Sequence, residues 1–275
     1  MSNPELIYYN GFKLNEAMFW DEKTGILYFV AIRNNLIYAL DPETLKVKTY
    51  KTDGPVGGAV IDKNGRIIEA EKSGIYSIDP VTGEKSFIVQ ILPHKTMRYN
   101  HLIIDSKGRI LVDVMGDEER HAGEGGLYEI DGNKVKCLVA GTTVANGMAL
   151  NKDETKLYFT DTPTKKVMEY NYDIETGDIT NGRVVVSFGE EEKGVPDGVM
   201  LDRDEKHLVI AEWNSGKLSI WEIDTGNKVG EISLPSAHAT STVIGGKNRD
   251  CIFVATAKRE ETDESPAGGI FKISI

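Results

Sequence analysis

The chain has 275 residues, 40% of them hydrophobic and 27% charged, which suits a soluble globular protein, and its 28 glycines suit a fold rich in tight turns. A net charge of −11 argues against nucleic acid, because phosphate-backbone binding needs clustered Lys and Arg. The longest apolar runs, such as Leu27 to Ile32, are too short to span a bilayer, and residues 1–10 carry no secretion signal, so no membrane contact and a cytoplasmic location are expected.

Strand signals dominate the chain, with short β-branched and aromatic runs separated by turn dipeptides such as Asn64-Gly65 and Asn181-Gly182. After an isolated run at Leu6 to Tyr9, the first four-strand unit reads Leu14 to Trp20, Ile26 to Ala31, Leu36 to Leu40 and Val47 to Lys51. A second unit runs from Gly58 to about Ile91, and others start near His101, Gly147 and Gly198. The last unit, from about Ser241, supplies Val243-Ile244, Cys251 to Ala255 and Gly269 to Ile275, then stops one strand short. Leu6 to Tyr9 is the candidate for the missing outer strand, since pairing there leaves no open edge.

A repeat supports this division. An aromatic residue, a spacer and an apolar residue run into a polar stop at Tyr38 to Asp41, Tyr76 to Asp79, Tyr128 to Asp131, Tyr170 to Asp173, Trp221 to Asp224 and Phe271 to Ser274. The stops lie 38, 52, 42, 51 and 50 residues apart, close to the period of propeller blades. The expected fold is therefore all-β, a six-bladed β-propeller closed by the N-terminal strand, with residues 1–275 forming a single domain. Cys137 and Cys251, both in apolar strand-like runs, are expected as buried free thiols. Two segments exceed the repeat, Gly116 to Gly125 with its acidic stretch and Lys258 to Ala267, and both are loop candidates at the channel mouth.

A second register points to chemistry. Five positions before the polar residue that ends each first strand (Asp21, Asp62, Asp105, Asn151, Asp202) stand Glu16, Gly57, Asn100, Asn146 and Asp197. First strands line the channel of a propeller, so these residues should converge on its axis, and four of the five offer oxygen donors. Hard divalent cations match such a set, and two buried carboxylates without a cation would repel each other. The competing reading is that Asn146 and Asp197 only cap turns.

The set Glu16 with Trp20 and Leu27-Tyr28-Phe29-Val30, Arg98-Tyr99-Asn100, Asn146-Gly147-Met148, Pro196-Asp197-Gly198, Gly245-Gly246-Lys247-Asn248 and 267–273 resembles the senescence marker protein/regucalcin/gluconolactonase family. That resemblance implies a six-bladed propeller that hydrolyses lactones, often sugar lactones, at one divalent metal ion in its channel. It implies metal ligands at Glu16, Asn146 and Asp197, a general base at Asp197, and substrate contacts at Arg98, Asn100 and Glu118. The ion would be Ca²⁺ ahead of Mn²⁺, Mg²⁺ or Zn²⁺, and the partner a small-molecule lactone, with the protein a monomer or weak homodimer. Alternatives are a metal-dependent phosphotriesterase or aryl esterase, and a non-catalytic calcium-binding protein. The chain departs from the family pattern at Asn15-Glu16-Ala17-Met18, which lacks the usual glycine and proline, and at His101-Leu102 after Asn100. His101 is expected near the pocket floor, either as a substrate contact or as a partly buried structural ring.

Overall fold

The structure, a computed structural model, describes residues 2–259 and 266–275. Its strands form six antiparallel four-stranded sheets, each a blade. Blade one uses Asn15–Asp21, Ile26–Ala31, Leu36–Leu40 and Val47–Lys51, within one residue of the units read from the sequence. The innermost strands Asn15–Asp21, Val56–Ile61, Met97–Ile104, Ala145–Leu150, Val195–Leu201 and Ala239–Gly245 pack side by side in a closed ring. Among the described residues the only helical segments are two 3-10 turns, Ile32–Asn34 and Thr162–Thr164, and no helix is long and apolar enough to cross a membrane.

All six aromatic repeats fall on the third strand of a blade. Tyr38, Trp221 and Phe271 bury their rings there while Tyr76, Tyr128 and Tyr170 are half-buried, and Asp41, Asp79 and Asp173 after them build turns. Asp41 Oδ1, for example, accepts the Glu43 N–H at 2.9 Å, and Asp79 Oδ1 accepts that of Val81 at 2.8 Å. The residues that end the first strands act alike, Asn151 Oδ1 accepting from both Thr155 and Lys156 at 2.8 Å.

Instead of one central core the described residues form six apolar clusters, each shared by two adjacent blades. The ring is thus held by blade-to-blade burial, roughly 1.5–3 kcal/mol for each large apolar side chain removed from water. Closure falls between blades six and one. The N-terminal strand Glu5–Tyr9 pairs with Gly269–Ser274, Glu5 opposite Lys272 and Tyr9 opposite Gly269. Ile7 joins the cluster beneath, Trp20 stacks on Phe253 at 5.4 Å, and Thr240 Oγ1 donates to Asn15 O at 2.6 Å.

Two expectations need amendment. Cys251 is buried as expected, whereas Cys137 is exposed, because it sits on the outer strand Lys134–Thr142, whose outward face meets solvent. The 117–124 loop does lie at one mouth of the channel, but much of the Lys258 to Ala267 insertion (260–265) falls outside the described residues.

Candidate metal and substrate site

Every innermost strand carries one irregularity of register, and it recurs at the same level of the channel. The pairing shifts between Glu16 and Phe19, Val56 and Gly58, Tyr99 and Leu102, Asn146 and Met148, Pro196 and Val199, and Ala239 and Ser241. A bulge inserts an unpaired residue and re-aims the side chains beside it. Glu16, Asn100, Asn146 and Asp197 stand in or at the edge of four of these bulges, which is why a five-residue count in the sequence finds them. The equivalent places in blades two and six hold Gly57 and Thr240.

Small residues keep the ring tight. A Cβ on Gly147 would lie 2.1 Å from Asp197 O, and one on Gly57 would lie 2.3 Å from Tyr99 O. Beside Glu16 the left-handed turn is made by Ala17 at φ 48°, a conformation that costs a non-glycine residue about 1–2 kcal/mol. Its N–H donates to Glu16 Oε2 at 3.0 Å, so the strained turn fixes the carboxylate.

Glu16, Asn100, Asn146, Asp197 and Arg98 are all buried. Asn100 Nδ2 donates to Asn146 Oδ1 at 3.1 Å, and Asn146 Oδ1 also accepts the Gly147 N–H at 3.0 Å. On its other side Asn146 Nδ2 donates to Thr162 Oγ1 at 3.3 Å, and Thr162 in turn donates to Pro196 O at 2.8 Å. This chain directs the Asn146 carbonyl oxygen toward the cluster. Asp197 Oδ1 is sealed from solvent and has no hydrogen-bond partner. Burial pushes Glu16 up to about 7 and holds Asp197 well above the usual carboxylate range, the nearby Glu16 charge adding to the latter. The pair therefore keeps at least one proton near neutral pH unless a cation replaces it.

Arg98 Nη1 donates to Asn100 Oδ1 at 2.6 Å and Tyr99 O at 3.0 Å, fixing the Asn100 amide. Behind it lies Asp117, with Oδ1 4.0 Å from Arg98 Nε and 2.5 Å from Arg33 Nη1 and with Oδ2 bonded to Lys72. Asp113, fully buried in Ile110–Gly116, accepts the His101 N–H at 2.8 Å and so braces the bulge that presents Asn100.

The structure thus brings together Glu16, Arg98, Asn100, Asn146 and Asp197. Glu118 is not among them. The loop folds back after Gly116, where a Cβ would meet Glu119 O at 1.9 Å, so that Asp117 turns inward while Glu118 stays exposed on the rim beside Arg33 and Lys13. His101 follows Asn100, but its ring lines a cavity toward the opposite mouth, with Met18, Met148 and Trp20. Burial pushes its pKa down to about 4, leaving a neutral imidazole at physiological pH. Sequence reasoning missed Asp113, Asp117 and Thr162. Asp113 had a signal, a lone acid within the otherwise apolar run 110–115; Thr162 had none.

Among the described residues the carboxylates converge without a basic partner in hydrogen-bonding contact, one oxygen is unsatisfied, and the ligating atoms on offer are oxygens. Such a set fits a hard divalent cation.

Comparison with known proteins places the whole chain. The chain is 27% identical to regucalcin of Xenopus laevis, covering 98% of this chain and 93% of that protein, and 29% identical to a pentonolactonase of Haloferax volcanii, covering 96% and 91%. Among solved structures, a luciferin-regenerating enzyme superposes with a TM-score of 0.89 at 25% identity, over 99% of this chain and 96% of the other. Residues 14–258 match the model of the SMP-30/Gluconolactonase/LRE-like region. The bulged ring of oxygen donors is thus set in a chain that belongs to the SMP-30/gluconolactonase/LRE-like family.

Proposed function

We propose that this protein is a metal-dependent lactonase whose site is the bulged ring at the channel mouth. The observation that carries the reading is the buried pair Glu16 and Asp197, joined by Asn146, with Asp197 Oδ1 unpartnered. Relatives that bear the names pentonolactonase and putative sugar lactone lactonase support hydrolysis of a lactone at family level. Glu16, Asn146 and Asp197 would hold one divalent ion, Ca²⁺ being the first candidate for an all-oxygen set. Bound there, the ion supplies Lewis acidity toward a carbonyl oxygen.

The side chains supply the rest. Asp197 accepts a proton from water as its oxygen attacks the lactone carbonyl carbon, and the ring C–O bond then breaks as Asp197 returns that proton to the leaving alkoxide, giving a hydroxy acid. Asn100 has its Nδ2 committed to Ala145 O and Asn146 Oδ1 at 3.1 Å each and its Oδ1 held by Arg98 Nη1, so it shapes the pocket wall, while the Arg98 guanidinium holds the ring oxygens of the substrate. Arg98→Ala is expected chiefly to raise KM.

The deciding experiment is a panel of lactones assayed with chelator-stripped protein, then with Ca²⁺, Mn²⁺, Mg²⁺ or Zn²⁺ restored. Hydrolysis that disappears on stripping and returns with one ion supports the reading. Tight metal binding with no turnover of any lactone or ester would make the protein a calcium-binding one instead, and turnover of organophosphates alone would make it a phosphotriesterase.

A further inference from the structure

A second cluster of ligating side chains lies on the rim of blade three, outside the channel ring. His94 belongs to the segment that enters the innermost strand Met97–Ile104, while His121 and Glu124 belong to the 117–124 loop. One ligating atom from each of the three lies within 4.8 Å of the others. His94 Nε2 is 2.7 Å from Glu124 Oε2, and His121 Nδ1 is 3.6 Å from Glu124 Oε1. The two imidazoles meet edge to face with centroids 5.3 Å apart.

An ordinary ion pair between His94 and Glu124 accounts for only part of this. His94 Nδ1 bonds Thr96 Oγ1 at 2.6 Å, the kind of contact that fixes the tautomer of a ligating histidine and turns its other nitrogen toward a metal. His121 is brought beside the pair although its Nε2 is sealed from solvent and has no hydrogen-bond partner. Two imidazoles and a carboxylate form a borderline donor set, unlike the oxygens of the channel, and three protein ligands plus water is a common zinc shell.

We propose that His94, His121 and Glu124 bind a zinc ion that clamps the 117–124 loop to the strand-entry segment. The clamp has a definite object. Asp117 N donates to Thr96 O at 2.8 Å, and the Asp117 side chain gathers Arg33, Lys72 and Arg98 behind Asn100. Holding the loop at both ends would hold that arrangement, so the rim ion acts at a distance from the chemistry and would bind whether or not the channel turns over a lactone.

The test uses full-length protein stripped with chelator, its channel site then saturated with Ca²⁺, titrated with Zn²⁺ in competition with a chromophoric chelator. Wild type should take up one zinc. His94→Ala and His121→Ala should bind it at least tenfold more weakly, while Glu16→Gln should keep it. Glu124→Gln, at an exposed position, serves if a histidine variant does not fold. Co²⁺ in place of zinc should give visible absorption bands that His121→Ala abolishes. Hydrogen exchange across 117–124 should slow with zinc in wild type only. Absence of zinc uptake by the wild type, equal uptake by His121→Ala, or loss in Glu16→Gln alone would overturn the site, and unchanged exchange on binding would overturn the clamp.

Discussion

Blade two contains a buried carboxylate pair that resembles the channel pair in everything but its surroundings. Glu69 and Glu71, on the second strand of that blade, have side chains with no solvent exposure, as buried as Glu16 and Asp197. They carry their own cation. Lys85 Nζ lies 3.2 Å from Glu69 Oε1 and 2.8 Å from Glu71 Oε2, and the Asp53 N–H and the Ser73 hydroxyl complete Glu71. Both Glu69 oxygens, like Asp197 Oδ1, lack a hydrogen bond, so what differs is the ammonium beside the blade-two pair; in the channel the nearest guanidinium spends its Nη1 on Asn100 and Tyr99. Burial alone therefore does not mark a metal site. A buried carboxylate pair with a lysine is scaffold, and one from which the chain withholds a cation has room for an ion from solution.

The sharpest way to break this contrast is to exchange one acid for its amide in each pair. Asp197→Asn keeps an oxygen for a cation and loses the proton acceptor, so with metal saturating, kcat on a lactone should fall by about 10²–10⁴-fold. Glu69→Gln should leave kcat within about twofold. Steady-state kinetics on both variants decides it, and near-normal turnover by metal-loaded Asp197→Asn would move the base elsewhere.

Removing the resident cation tests the other half. Lys85→Met leaves Glu69 and Glu71 buried beside each other without compensation, which should cost about 3–5 kcal/mol in urea unfolding. A loss below 1 kcal/mol, on the order of a surface pair, would mean that Lys85 is ornamental. Next in size, Glu16→Gln should weaken divalent-ion binding more than about tenfold, or roughly 1.4 kcal/mol, by calorimetry. Lys85→Met should not change that affinity, since it alters no channel ligand.

The same contrast explains what could be read in advance. Blade count, strand limits and ring closure were legible because the third-strand aromatics and the turn-building Asp and Asn residues recur with the blade period. Glu16, Asn100, Asn146 and Asp197 were legible because the bulges recur too, putting like positions at one level of the channel. Glu118 was drawn from the correct loop, but the fold-back after Gly116 brings its neighbour Asp117 to Arg98 instead. Thr162 reaches Asn146 across a 3-10 turn from the second strand of its blade, a contact with no counterpart in spacing. His101 lies apart from the ring, its side chain lining the cavity with Met18, Trp20 and Met148. The Lys85 bridge was invisible because it spans strands whose pairing, not whose sequence separation, sets the distance.

The smallest effect expected at any one step is in the pH dependence of stability. Burial pushes Glu69 up to about 8, Lys85 only partly opposing it, whereas the unfolded chain should titrate near 4.5. For an acid with a raised folded pKa, the folded state holds the proton after the unfolded chain has released it, so its contribution to stability is complete below about 4.5 and is lost as pH rises toward 8. The slope is at most one proton, about 1.4 kcal/mol per pH unit. The channel pair bends the curve in the same direction, Glu16 being raised to about 7, but it does so equally in wild type and in Glu69→Gln. The difference between their urea midpoints, followed from pH 5 to pH 9 in chelator, isolates blade two. Wild type should lose stability relative to Glu69→Gln across that window, and a pH-independent difference would show that Lys85 keeps Glu69 ionised throughout. The two pairs would then differ in how completely the lysine satisfies its acids, and the contrast would become sharper still: a carboxylate pair fully neutralised from within, set against one that waits for a cation.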